Sequence, residues 1–197
     1  MRPNTRSGAD DKSKEMDVSG SPDTTRWFVM RAHKSEKLAE EKLSAAGGLD
    51  FFIPKTYEAR EYHGVKTKKL VPVIPSMVFV HASHNQLVAF KKDNNFLQFI
   101  TRKTAGVTDY LVVPDGQMAD FIRVTANPEL NTVYFRPDEL NLKQGTKVRI
   151  LGGGLSGVTG IFMRVAGKRN RRVVVTLDGI ISAVTEVSPD LIEVIKE

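Results

Sequence analysis

Trp27-Phe28-Val29-Met30 is an unbroken apolar run that closes at Arg31-Ala32-His33. A strand with one wet face alternates apolar and polar residues, so an unbroken run predicts a central strand covered on both sides. The covering elements follow directly. Residues 34–46 read as a helix, with Ala39, Leu43 and Ala46 at i, i+4 and i+7 and Leu38 alongside. Gly47-Gly48 supplies its stop, and Lys37, Glu40, Glu41 and Lys42 take the opposite face. Phe51-Phe52-Ile53-Pro54 opens a second strand. Residues 57–62 and 65–71 about Gly64 read as a hairpin, a polar arm carrying Arg60, Lys66, Lys68 and Lys69. In Pro72-Val73-Ile74-Pro75-Ser76-Met77-Val78-Phe79-Val80 the second half predicts a buried strand, because its prolines belong at the entry and not mid-sheet. Residues 85–92 predict a short helix through Leu87, Val88 and Phe90, and residues 96–101 and 110–113 predict strands. Pro114-Asp115 begins a helix with Met118, Phe121, Ile122 and Thr125 on one face. This order implies a βαββαβ-like α+β domain over residues 26–126, with helices packed on one antiparallel sheet.

The flanks differ in texture. Residues 1–25 hold almost no large apolar groups and are rich in Ser, Asp, Lys, Gly and Pro. Such a segment buries too little to offset its ordering entropy and is expected to be a disordered tail. Residues 127–142 contain Pro128 and Pro137, show no clear period and read as an inter-domain linker. Over residues 143–197 short apolar runs at 148–151, 161–165, 173–177, 180–184 and 191–195 alternate with Gly-rich turns, among them Asp178-Gly179, a strong hairpin signal. They predict a small five-stranded β-barrel, bent at its glycines.

Composition narrows the function classes. The chain has 197 residues, 29 basic and 23 acidic, for a net charge of +6. Residues 26–126 hold 15 basic and 10 acidic groups and residues 143–197 hold 9 and 5, so both folded blocks are basic. That balance points to an anionic partner, nucleic acid first. Cys is absent, which excludes a disulfide framework, a thiol nucleophile, an Fe–S cluster and a Cys-based zinc finger. No run of about 18 apolar residues offers a membrane span. The N-terminus has no apolar segment of the secretory kind, and a cytoplasmic location is expected.

Three segments together resemble the NusG family of transcription elongation factors. Trp27-Phe28-Val29 resembles the opening strand of its N-terminal domain. Ile74-Pro75-Ser76-Met77-Val78-Phe79-Val80 resembles the family's Phe-Pro-Gly-Tyr segment and the apolar strand after it. Gly145-Thr146-Lys147-Val148-Arg149-Ile150, with the glycines of 152–160, resembles the opening of a KOW barrel whose central glycine is Gly157. Ser76-Met77 stands where Gly-Tyr is usual, and Gly153-Gly154-Leu155 where Gly-Pro-Phe is. With the long polar tail, these departures are similar to the UpxY antiterminators of capsular polysaccharide operons. The resemblance implies a non-catalytic factor that holds the RNA polymerase clamp closed by binding the clamp helices of the largest subunit. Its alternatives are a general elongation factor of the same family and a ribosomal or RNA-binding protein using the KOW barrel.

The resemblance implies polymerase contact at Trp27, Ile74, Pro75, Met77, Phe79, His84 and Asn85. Nucleic-acid contact, with non-template DNA or nascent RNA, is expected at His33, Lys34 and Lys42 and along the arm at Lys66, Lys68 and Lys69. A ribosomal protein or termination factor is expected at Leu155 and Gly157. The basic run Lys168-Arg169-Asn170-Arg171-Arg172 suits RNA or a ribosomal partner, through Lys168, Arg169, Arg171 and Arg172. Phe79 also suits ordinary core, and the charges also suit solvated faces. His81-Ala82-Ser83-His84 has metal-ligand spacing but no Cys or carboxylate pair nearby, so no metal or other cofactor is expected. Gly152 to Gly160 lacks the Gly-Lys-Ser/Thr ending of a phosphate loop, and no Gly-x-Ser-x-Gly elbow occurs; the chain does not read as an enzyme.

Overall fold

The computed structural model describes residues 24–33, 35–128, 132–136, 138–139, 145–163 and 172–195. The tail through residue 23 and the candidate contacts Lys34, Lys168, Arg169 and Arg171 lie outside the described residues.

The N-terminal elements are β1 (Arg26–Ala32), α1 (Glu36–Ala46), β2 (Asp50–Phe52), β3 (Lys55–Tyr62), β4 (Val65–Pro72), β5 (Met77–Ala82), α2 (His84–Asp93), β6 (Leu97–Phe99), β7 (Thr101–Thr104), β8 (Val107–Tyr110), β9 (Val112–Val113) and α3 (Asp115–Thr125). The sheet runs β2-β5-β1-β6, with β9 sharing the β6 edge of β1. β1 pairs antiparallel with β5 from Arg26↔Ala82 to Arg31↔Met77. The β3–β4 and β7–β8 hairpins are separate two-stranded ribbons. Ser35 caps α1 by accepting from the Leu38 N–H at 3.1 Å, and Ser83 and Gln86 form a reciprocal capping box on α2.

The apolar run of β1 is explained by its two covers. Phe28, Met30 and Ala32 pack with Val78, Val80 and Ala82 against Ala39 and Leu43 of α1 and Leu87 of α2. Val29 and Phe79 cluster on the other side with Met118, Phe121 and Val124 of α3. The helices therefore lie on both faces of the sheet and give β1 its two covers. The period of α3 shows that it has an apolar side, but periodicity carries no information about which sheet face receives it.

The C-terminal elements are β10 (Val133–Phe135), β11 (Thr146–Ile150), β12 (Thr159–Met163), β13 (Arg172–Leu177), β14 (Ile181–Glu186) and β15 (Ile192–Val194). They form a six-stranded sheet in the order β10-β14-β13-β12-β11-β15, open between β10 and β15. This sheet-rich region is consistent with the expected small five-stranded β-barrel, but among the described residues it has a sixth strand and is not closed. The additional strand, β10, comes from the stretch expected to be linker and pairs with β14 from Val133↔Val184 to Phe135↔Ser182. Three residues are too few to show a period, so only a partner edge reveals such a strand. Gly160 is obligatory here: a Cβ would meet the Val174 carbonyl oxygen and the Val173 side chain at 2.6 Å.

α3 lies between the two sheets, reaching β1 on one side and β13 and β14 on the other. Asp120 accepts from the Thr159 N–H and Oγ1 at 3.1 and 2.7 Å, Arg123 donates to the Ser156 carbonyl, and Gln117 Nε2 donates to Asp178 at 3.2 Å.

Candidate functional site

The segment entering β5 is a tight turn, closed by the Met77 N–H donating to the Ile74 carbonyl at 3.3 Å. Ser76 holds a left-handed backbone, φ 60°. An L side chain there costs roughly 1–2 kcal/mol relative to a right-handed conformation, which explains the family's glycine. Two bonds hold Ser76 in place: its N–H donates to the Glu36 carboxylate in the first turn of α1, and its carbonyl accepts from the Ala32 N–H at 2.8 Å. The turn is thereby tied to both β1 and α1. Glu36 was not legible as a site residue, because its partner is 40 positions away.

Register places the apolar candidates on one sheet face. Trp27↔His81, Val29↔Phe79 and Arg31↔Met77 are successive same-face pairs. Trp27, Ile74 and Met77 are half-buried and Pro75 is exposed. Phe79 has no accessible surface and faces the Phe121 ring, centroids 6.4 Å apart. Phe79 is therefore corrected to core, a support beneath the face and not a surface group, because α3 closes over it.

The His-x-x-His pair is split between the two faces. His81 lies beside Trp27, centroids 5.1 Å apart, and 3.7 Å from Asp115. His84 stacks on Phe99 at 5.5 Å and shares a 3.2 Å hydrogen bond with the Tyr110 hydroxyl, near Phe28. Burial, then the Lys91 and Arg26 charges, lower the His84 pKa. A histidine kept neutral in an aromatic cluster has a packing role; residues 28, 84, 99 and 110 are too far apart in sequence to announce it. Asn85, next in α2, is exposed. Among the described residues no group of three or more His, Asp or Glu is arranged to hold a metal ion.

The basic candidates fall into separate places. His33 follows β1 and is exposed beside the turn, its N–H donating to the Phe96 carbonyl at 2.9 Å. Lys42 is exposed on α1, and Lys66, Lys68 and Lys69 are exposed on β4. Arg172, the last residue of the basic run, is corrected: its side chain is 5% exposed and ion-paired with Glu186, directly across the β13–β14 ladder. A run of like charges in sequence does not reveal which member turns inward at the start of a strand.

In the C-terminal sheet, Leu155 is half-buried against the core cluster that includes α3, and Gly157 is exposed with φ 87°. The Gly157 N–H donates to the Ile150 carbonyl at 2.7 Å, so a left-handed glycine makes the reversal between β11 and β12.

The profile of a family described as "Transcription termination factor nusG" matches residues 25–127, just over half of the chain. The chain belongs to the NusG family. The match spans β1 through α3, so the turn at Ser76, the sheet face beside α3 and both ribbons lie inside the NusG domain. NusG-family proteins are non-enzymatic transcription factors that bind RNA polymerase. No curated protein matches the chain. Among the described residues of this NusG-family protein, no helix is long and apolar enough to cross a membrane.

Proposed function

We propose that this chain is an operon-specific antitermination factor, whose N-terminal domain seats on the clamp helices of the largest RNA polymerase subunit and raises processivity. One observation carries the reading. In a NusG-family domain, half-exposed Trp27, Ile74 and Met77 share the α3 side of the sheet and the turn beside it. An apolar face framed by a helix accepts a partner helix, and a Met side chain adapts to such a surface. Buried Phe79 and Val29 make it rigid. Binding that favours the closed clamp shifts a two-state equilibrium without chemistry.

Specialisation is supported by the two departures from the family pattern, Ser76-Met77 and Gly153-Gly154-Leu155. Leu155 in place of an aromatic forgoes stacking of about 0.5–1.5 kcal/mol. A shared partner is then bound up to about tenfold more weakly, which favours recruitment by a particular nucleic-acid element. The test is to map where polymerase carries the protein along the chromosome. Occupancy at one or a few long operons, with readthrough lost only there on deletion, is expected. Uniform occupancy of transcribed genes would promote the general elongation factor, and co-purification with ribosomal subunits in place of polymerase would promote the RNA-binding alternative.

A further inference from the structure

α3 has two unlike sides. Met118, Phe121 and Val124 are buried in the shared core, whereas Gly116, Ala119, Asp120 and Arg123 fall at i, i+3, i+4 and i+7 along another side. That second side meets the C-terminal sheet through polar bonds, Asp120 to Thr159 and Arg123 to Ser156, with Gln117 reaching Asp178. Gly116 and Ala119 are too small to fill the space between those bonds; a Cβ at Gly116 would meet nothing within 4 Å. The result is a cleft of about 570 Å³ between α3 and strands β11 to β13, a size that suits a small organic ligand. Its floor is apolar, with Ile161 and Val174 paired across the β12–β13 ladder and Gly160 beside them. Its rim carries Asp120 and Asp178 against one ammonium, Lys147, on the β11 side opposite Ile161. Both carboxylates accept only from neutral donors, the Thr159 N–H and hydroxyl and the Gln117 amide. Among the described residues neither has an ion pair. Gln117 Oε1, in the same wall, is a buried acceptor with no hydrogen-bond partner among the described residues.

We propose that this cleft binds a small amphipathic amine, its flat apolar body on the Ile161–Val174 floor and its ammonium group directed to Asp178 and Asp120. The class follows from the lining. An apolar floor takes an apolar body, and the polar groups at the rim set the orientation. Two carboxylates without ion pairs favour a cation and repel a phosphate, although the chain as a whole carries a charge of +6. No third carboxylate or histidine joins them, so the set does not serve a metal ion. One wall belongs to the NusG domain and the other to the C-terminal sheet, so the ligand touches both. It binds only while the two walls face each other and stabilises that arrangement by mass action. The site goes beyond the proposed function, because none of its residues lies on the Trp27, Ile74 and Met77 face and its test does not involve polymerase.

The test is an amide NMR titration of the full chain with tryptamine, an aromatic body bearing an ammonium, and with indole-3-acetate, the same ring bearing the opposite charge. Saturable shifts centred on residues 116–120 and 159–161 are expected for tryptamine, with a dissociation constant of about 1 mM or tighter. Indole-3-acetate should bind at least about fivefold more weakly. Asp178→Asn should weaken tryptamine about fivefold or more, by removing the charge that meets the ammonium. Ala119→Leu, which fills the cleft from an exposed helix position, should weaken it about tenfold or more. Ala119→Ser, of similar size, and Glu193→Gln, the same loss of charge on β15 outside the cleft, should each stay within about twofold of the wild type. Saturating tryptamine should raise the thermal midpoint of the wild type and leave that of Ala119→Leu unchanged. No saturable binding, equal affinity for the two indoles, shifts centred outside the cleft, or an Ala119→Leu variant that binds like the wild type would each overturn the assignment.

Discussion

The β1–β5 pair and the β3–β4 ribbon are both antiparallel ladders, registered over six and eight residue pairs. They differ in what lies above and below them. β1 and β5 are covered by α1 and α2 on one side and α3 on the other, whereas β3 and β4 are exposed over most of their length. Equal ladders therefore contribute unequally. In the first, each fully buried large apolar side chain adds roughly 1.5–3 kcal/mol. The ribbon relies on its His63-Gly64 turn, φ 50° and 78°, and on cross-strand pairs worth about 0.2–1 kcal/mol each. The first makes a rigid platform for the proposed contact face; the second makes an arm whose side chains are exposed.

That contrast is broken most sharply at Phe79 and Met77. Phe79→Ala should destabilise the chain by about 3–5 kcal/mol in denaturant unfolding, as a buried aromatic in a shared core. Met77→Asp should leave the domain folded and weaken retention on RNA polymerase by roughly 2 kcal/mol, a loss of about thirtyfold. A Met77 variant that unfolds like the Phe79 variant would place both in the core and remove the contact face.

The turn between platform and arm gives a smaller effect of opposite sign. Ser76→Gly should raise stability by about 1 kcal/mol, measured by the denaturant midpoint at unchanged slope, because glycine adopts a positive φ without the side-chain penalty. No gain would mean that the larger backbone entropy of glycine in the unfolded chain offsets the relief of strain.

On the arm, Lys66→Gln with Lys68→Gln should stay within about 0.5 kcal/mol of the wild-type stability, as for other exposed positions. A larger loss would show that those amines hold the ribbon together and would erase the distinction between the ladders.

The smallest effect is in pH. The His84 pKa is lowered by burial first, so below the unfolded value of about 6.5 the unfolded chain binds more protons than the folded one. Stability should therefore be full above that pH and fall as the pH drops through it toward the lower folded value. Comparing thermal midpoints of the wild type and His84→Phe across this window checks the sign: the variant should lose less on acidification. A parallel decline of the two would remove His84 as the source.

Much of this was legible in residue order. The uninterrupted Trp27-Phe28-Val29-Met30 run demanded two covers, the turn signals around Gly64 and Asp178-Gly179 marked their hairpins, and the segment around Ser76-Met77 carried the family resemblance. These are local features, set by side-chain period and backbone preference over a few residues. The tertiary structure decided the rest. It put α3 between two sheets, drew β10 out of an apparent linker, turned Arg172 inward onto Glu186, sealed Phe79 under Phe121 and joined Glu36 to Ser76. It also set the arm's lysines on opposite faces of the ribbon, Lys66 and Lys68 on one and Lys69 on the other. Each of those outcomes depends on which distant group occupies the space opposite a side chain, and period alone does not encode that.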